Sequence, residues 1–231
     1  VKKTKSASSI IARAMAEYKA KDYEAALVTL SEAPVDENDY LDLAYLLGLC
    51  HVRLERFDEA LLYLEQVVTS GGEDERTRQC RLTLAYVYSI TGRTKLAEYE
   101  LRKLLDSESG PTVQVFSALA YVQWTQGKRD EALSWYVKAL EDDPENLNAL
   151  NGYGYLLACT GKDLKKALTC CRKALDGDPG NPAYSDSLGW AYFQLGMISE
   201  AAPYLQAAAE LLVDHPDVMK HLKAFRKATQ P

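Results

Sequence analysis

Histidines, cysteines and glycine–lysine steps are the residues here whose types and spacing could carry chemistry. The three histidines are His51, His215 and His221. No two sit four residues apart, the spacing that puts a pair of imidazoles on one helix face, and the HExxH arrangement of zinc hydrolases is missing. The five cysteines are Cys50, Cys80, Cys159, Cys170 and Cys171. They form no Cys-x-x-Cys pair, and their odd number and irregular spacing do not describe a disulfide framework. They read as small buried hydrophobes. Gly127-Lys128 and Gly161-Lys162 lack both the earlier glycine and the following Ser or Thr of a phosphate-binding loop. A Gly-x-Ser-x-Gly elbow is absent. Carboxylates are plentiful, but no pair is singled out for acid–base work. The sequence predicts no catalytic residue, no metal site and no cofactor. It points to binding rather than to an enzyme.

Charge narrows the kind of partner. The net charge is −6 and the pI about 5.2, so the basic footprint that nucleic acid requires is missing. The charge is uneven. Residues 1–21 carry Lys2, Lys3, Lys5, Arg13, Lys19 and Lys21 against Glu17, whereas residues 22–76 hold fourteen acids against Arg53, Arg56 and Arg76. Such runs serve as solvated helix faces or as an acidic patch that steers a basic partner. No apolar run approaches the ~20 residues of a membrane-spanning helix. The stretch Val1 to Ser9 reads as a flexible basic leader, with residues 1–6 outside the repeats.

The elements that must present any binding surface are revealed by self-similarity. Six segments share an alanine at Ala26, Ala60, Ala97, Ala132, Ala167 and Ala201, spaced 34, 37, 35, 35 and 34 residues. A second ladder of small residues runs through Ala14, Gly48, Ala85, Ala120, Gly154 and Gly189 with nearly the same period. Two ladders at this period are the mark of stacked helix–turn–helix pairs. Small side chains stand where helices cross. Leu47, Leu84, Leu119 and Leu188 on the first helices, and Leu30, Leu64, Leu101, Tyr136 and Leu205 on the second, are expected to interdigitate around them. Gly92, Gly127 and Gly196 fall in the turns inside pairs, where a positive φ is useful. Asp143-Pro144 and Asp178-Pro179 fall between pairs, and an extra residue enters the fifth turn near Thr160 to Asp163. Pro203 lies inside a helical pattern, where it is expected to remove a hydrogen bond or cause a kink.

Two runs carry a family resemblance: Ser187-Leu-Gly-Trp-Ala-Tyr-Phe-Gln-Leu-Gly196 followed by Glu200-Ala201, and Glu131-Ala-Leu-Ser-Trp-Tyr-Val-Lys-Ala-Leu140 followed by Asp143-Pro144. They resemble tetratricopeptide repeats, and bacterial members most. The likeness is weaker in the first repeat, where Arg13 and Glu17 replace apolar residues. The resemblance implies an all-α fold: a right-handed α-solenoid of about six helix pairs plus a capping helix. The approximate repeats are 7–40, 41–77, 78–112, 113–146, 147–181 and 182–215, with a cap and tail at 216–231. In the cap, Val218, Met219, Leu222 and Phe225 form an apolar stripe and Lys220, Lys223, Arg226 and Lys227 cover the rest.

In this family the first helices line a concave face. If the resemblance holds, that face carries Met15, Tyr45, Leu49, Tyr86, Tyr121, Trp124, Asn148, Asn151, Tyr155, Asp186, Trp190, Phe193 and Gln194. Aromatics at helical spacing also pack between neighbouring repeats. Their recurrence at equivalent places from Tyr86 to Trp190 favours a groove for the set. The expected partner is a protein or peptide gripped by large amphipathic rings. Self-assembly, with the first repeat and the basic leader pairing with another copy, is the alternative; a small-ligand carrier or enzyme is a remoter one. The Lys/Arg/Asn clamp by which some members hold acidic tails is not matched, since Arg53 is the one basic residue placed there. Some bacterial members are tethered in the cell envelope, so periplasm and cytoplasm both remain open.

Overall fold

The computed structural model describes residues 7–33, 39–70, 72, 74–107 and 110–229. The basic leader, residues 1–6, lies outside them. The described residues form only helices: α1 (Ala7–Lys19), α2 (Tyr23–Ser31), α3 (Tyr40–Arg53), α4 (Phe57–Ser70), α5 (Glu75–Ile90), α6 (Thr94–Leu105), α7 (Val113–Thr125), α8 (Arg129–Asp142), α9 (Leu147–Thr160), α10 (Leu164–Gly177), α11 (Pro182–Gln194), α12 (Ile198–Leu211) and α13 (Pro216–Thr229). The chain is an all-α repeat solenoid. It divides into two compact units, Val1–Pro111 with α1–α6 and Thr112–Pro231 with α7–α13. Within each unit the helices associate as pairs, and the second helix of a pair also packs on the first helix of the next. No helix among the described residues is long and apolar enough to cross a membrane.

The alanine ladder explains the pairing. Ala26, Ala60, Ala97, Ala132, Ala167 and Ala201 are all fully buried. Gly189 of the second ladder shows how close the crossing can be. A Cβ on Gly189 would lie 2.8 Å from the Leu205 side chain and 3.0 Å from its backbone nitrogen. Leu30, Leu64, Leu101, Tyr136 and Leu205 are buried at this crossing, and Cys171 takes the same place in the fifth pair. Each fully buried leucine contributes roughly 1.5–3 kcal/mol. Burial pushes the Cys50 thiol up to about 11 and the Cys80 thiol up to about 12, so both stay protonated and act as small hydrophobes.

Turns and caps set the boundaries. All six turns within pairs are three residues long. Their middle residue has positive φ at Gly92 (+77°), Gly127 (+78°) and Gly196 (+75°), and equally at Lys21 (+65°) and Glu55 (+58°). The extra residue of the fifth pair is not in its turn: α9 is one residue longer at its end, and Gly161 (φ +67°) follows directly as its C-cap. Asp22, Asp74, Asn146, Asp163 and Asn181 each accept a backbone N–H at the start of a helix, a cap that stabilises by about 1 kcal/mol. α12 continues through Pro203, which sits on its exposed side. In the first pair, Arg13 donates to Thr29 (3.1 Å) and Glu32 (2.9 Å) and stands 3.8 Å from Glu17. Polar bonds there replace the apolar contacts of other pairs.

α13 keeps the register of a first helix. Ala224 lies one period beyond Gly189 and Phe225 meets Phe193 edge-on at 6.1 Å. Several places differ, and three of them carry lysines. Where α11 has Ser185, Leu188 and Tyr192, the corresponding α13 residues are Lys220, Lys223 and Lys227. Two of the α11 residues are buried and the third half-buried, while all three lysines are exposed. A helix that is apolar on one face and cationic on the other solvates the end of a stack.

Candidate functional site

The first helices of the C-terminal unit border a cleft of about 660 Å³. α7 brings Tyr121 and Trp124 to it, α9 brings Asn151 and Tyr155, and α11 brings Trp190. Successive first helices place equivalent residues side by side, so the near-35-residue period becomes an aromatic wall. Trp124 meets Tyr155 edge-on at 6.4 Å. Tyr121 is 47% exposed. Burial raises the Tyr155 phenol above its ordinary range, helped by the thiol of Cys159. It stays neutral and serves as an amphipathic surface.

α13 closes one side of this cleft with Asp217, Val218, Lys220 and His221. His221 is buried. Its Nδ1 lies 2.7 Å from Oδ2 of Asp186, itself buried on α11. The imidazole stacks on Trp190 with centroids 4.1 Å apart and planes 17° apart, and it approaches Tyr155 at 5.8 Å. Trp190 is thus held between His221 and Phe193, whose ring is 5.3 Å away on its own helix. The floor includes Tyr136 of α8. Its ring crosses α9 at Gly152, where a Cβ would come within 2.3 Å of it.

Not every residue expected on this face reaches the cleft. Asn148 is exposed and accepts a 2.5 Å hydrogen bond from the Tyr184 hydroxyl, so it ties the fifth pair to the sixth. Phe193 lies behind Trp190 and does not line the cleft. In the N-terminal unit, Leu49 and Tyr86 border a separate cleft of about 540 Å³ together with Tyr18, Val52 and Arg53. Tyr86 is 55% exposed. Arg53 donates from Nε to the Tyr18 hydroxyl at 3.1 Å, and that bond holds its guanidinium above the usual range. Tyr45 is half-buried outside that cleft, and burial raises its phenol. Met15 is half-buried against the small core of α1–α3.

Sequence reasoning missed Tyr136, Gly152, His221 and Arg129 as cleft residues. Gly152 carried a signal, since two glycines flank Tyr153 inside one helix. His221 carried one too, since its partner Asp186 lies 35 residues away, one repeat period. The cleft offers aromatic faces, one amide, and the opposite charges of Arg129, Lys220, Asp186 and Asp217. Among the described residues no group of three His, Cys, Asp or Glu side chains could hold a metal ion. The lining thus combines apolar contact area with a few polar groups.

Known proteins share this architecture. A curated TPR repeat-containing protein of Pseudomonas aeruginosa is 36% identical over 80 residues, 35% of this chain and 13% of that one. The human protein O-mannosyl-transferase TMTC1 is 26% identical over 175 residues, 73% of this chain and 19% of that one. The chain therefore spans a fifth or less of the curated relatives it matches. Among solved structures, PilF of Pseudomonas aeruginosa superposes with a TM-score of 0.73 at 14% identity, over 94% of this chain and 97% of that one. The thermophilic protein TTC0263 of Thermus thermophilus gives 0.63 at 19% identity, over 80% and 98%. YrrB, described as a TPR protein with an unusual peptide-binding site, gives 0.53 at 21% identity, over 81% and 92%. These likenesses speak to the fold. Tetratricopeptide-repeat family models match residues 11–75, 117–182 and 186–211, and with that coverage the chain belongs to the tetratricopeptide-repeat family.

Proposed function

We propose that the chain is a non-catalytic adaptor that holds a segment of another polypeptide in the aromatic cleft of its C-terminal unit. The tetratricopeptide fold is a scaffold for protein–protein interaction, and the finer reading rests on one observation. Four aromatic residues from three consecutive first helices, Tyr121, Trp124, Tyr155 and Trp190, face a single cleft that the protein's own side chains leave open. Tyrosine and tryptophan lose little rotamer entropy on binding and offer a polar tip beside a broad apolar face, which is why they dominate binding hot spots. Asn151 is the amide on that wall suited to a partner backbone. Leu49 and Tyr86 extend the same chemistry to the N-terminal unit as a weaker, separate contact.

A peptide library displayed on phage and selected against the full chain tests the proposal. Selected peptides bind with micromolar affinity, and Tyr121→Ala weakens them by about tenfold while the thermal melt is unchanged. Tyr86→Ala has a smaller effect. Selected peptides that bind Tyr121→Ala as tightly as the parent would place recognition elsewhere.

A further inference from the structure

The second helices of the N-terminal unit carry an outward face that the repeat stack does not use. Two residues beyond the anchoring alanine, the side chain points away from the first helix of its own pair. At that register stand Val28, Leu62 and Tyr99, which are 63%, 64% and 54% exposed. The C-terminal unit has Ser134, Thr169 and Pro203 at the same register. The outward apolar face therefore belongs to the N-terminal unit, and it is not a requirement of the repeat.

Its charge is sorted by helix. On α4, Leu62 shares a face with the exposed acids Asp58, Glu59 and Glu65, at the three- and four-residue spacings that make helix neighbours. On α6, Tyr99 and the 47% exposed Leu96 share a face with the exposed cations Lys95, Arg102 and Lys103. Internal bonds use part of this charge: Arg93 stands 3.7 Å from Asp58, Glu65 accepts from the Tyr88 hydroxyl, and Arg102 pairs with Glu98. Among the described residues, Glu59 and Lys95 have no ion-pair partner. A solvated surface has no need to put apolar residues at the centre of both faces. An interface does, with charge at its rim.

We propose that α4 and α6 together form a self-complementary docking surface for a second copy of this chain. A two-fold axis between the helices sets the acidic Leu62 face of each copy against the basic Leu96–Tyr99 face of the other. Both contacts are made at once, as an isologous interface requires. Stacking α4 on α4 instead would press acid against acid. The surface is distinct from the aromatic cleft, so the inference stands apart from the proposed function.

Sedimentation velocity of the full chain over about three decades of protein concentration tests it. The expected result is a monomer–dimer equilibrium that weakens as salt is added. Leu62→Glu weakens it by at least about tenfold, with the far-UV circular dichroism and the melt unchanged, because Leu62 is exposed. Glu59→Lys also weakens it, and adding Lys95→Glu to Glu59→Lys restores it. A chain that stays monomeric throughout overturns the proposal and leaves the face to a different protein. So does a dimer that Leu62→Glu leaves intact, or association that runs on past the dimer, which would mean a head-to-tail contact.

Discussion

Gly154 and Gly48 occupy the same rung of the small-residue ladder but meet different neighbours. A Cβ on Gly154 would lie 2.6 Å from Sγ of Cys171, 2.9 Å from the Ala167 carbonyl oxygen and 3.0 Å from the Cys171 backbone nitrogen. Two of these atoms are backbone and cannot turn aside. A Cβ on Gly48 would meet Cδ2 and Cγ of Leu64 at 2.5 and 2.6 Å, side-chain atoms that a rotamer change can move. Each Gly→Ala change also gains about 0.5–1 kcal/mol from the stiffer unfolded chain and better helix propensity. Gly154→Ala is therefore expected to destabilise by about 1–3 kcal/mol, and Gly48→Ala to stay within about 1 kcal/mol of the parent. Urea unfolding of the two variants decides the matter. Equal losses would mean that side-chain and backbone crowding cost the same here.

At the scale of the helix, the interest lies in α13 and its attachment. The buried His221–Asp186 pair is its one polar bond into the aromatic wall, alongside the apolar contacts of Val218, Leu222 and Phe225. Truncating one partner leaves the other buried without its hydrogen bond, which costs about 1–3 kcal/mol. His221→Ala also removes the ring stacked on Trp190. We expect α13 amides to lose most of their hydrogen-exchange protection while α7–α10 keep theirs, because stability in repeat arrays is carried by neighbouring contacts. Uniform loss along α7–α13 would instead mean that this unit unfolds as one block. The sequence revealed the helices through two ladders of small residues, since a crossing tolerates little else. It did not place the extra residue of the fifth pair, because a helix extended by one residue and a turn lengthened by one look alike as spacing. Lysines at three packing positions made α13 read as a cap, and the ladder that continues to Ala224 adds that it keeps the register of a first helix.

For the molecule as a whole, the legible part of the site was the aromatic period, and the illegible part was how side chains from other helices complete it. Tyr136 reaches the cleft only because Gly152 lets its ring cross α9, and His221 enters only because α13 folds back on α11. The two proposed surfaces fall in different compact units, the aromatic cleft in Thr112–Pro231 and the α4/α6 face in Val1–Pro111. Linkage makes any coupling between them reciprocal: if a bound peptide favoured the dimer, the dimer would favour the peptide by the same factor. Repeat stacks pass stability between neighbours but need not share a two-state element. We expect no coupling. A peptide selected against the cleft should bind parent and Leu62→Glu with dissociation constants that agree within about twofold. Saturating that peptide should leave the sedimentation midpoint of the parent unmoved, and Tyr121→Ala should associate as the parent does. A midpoint that shifts with peptide, together with an equal shift in peptide affinity between parent and Leu62→Glu, would show instead that one conformational change spans both units and that partner binding and self-association regulate each other.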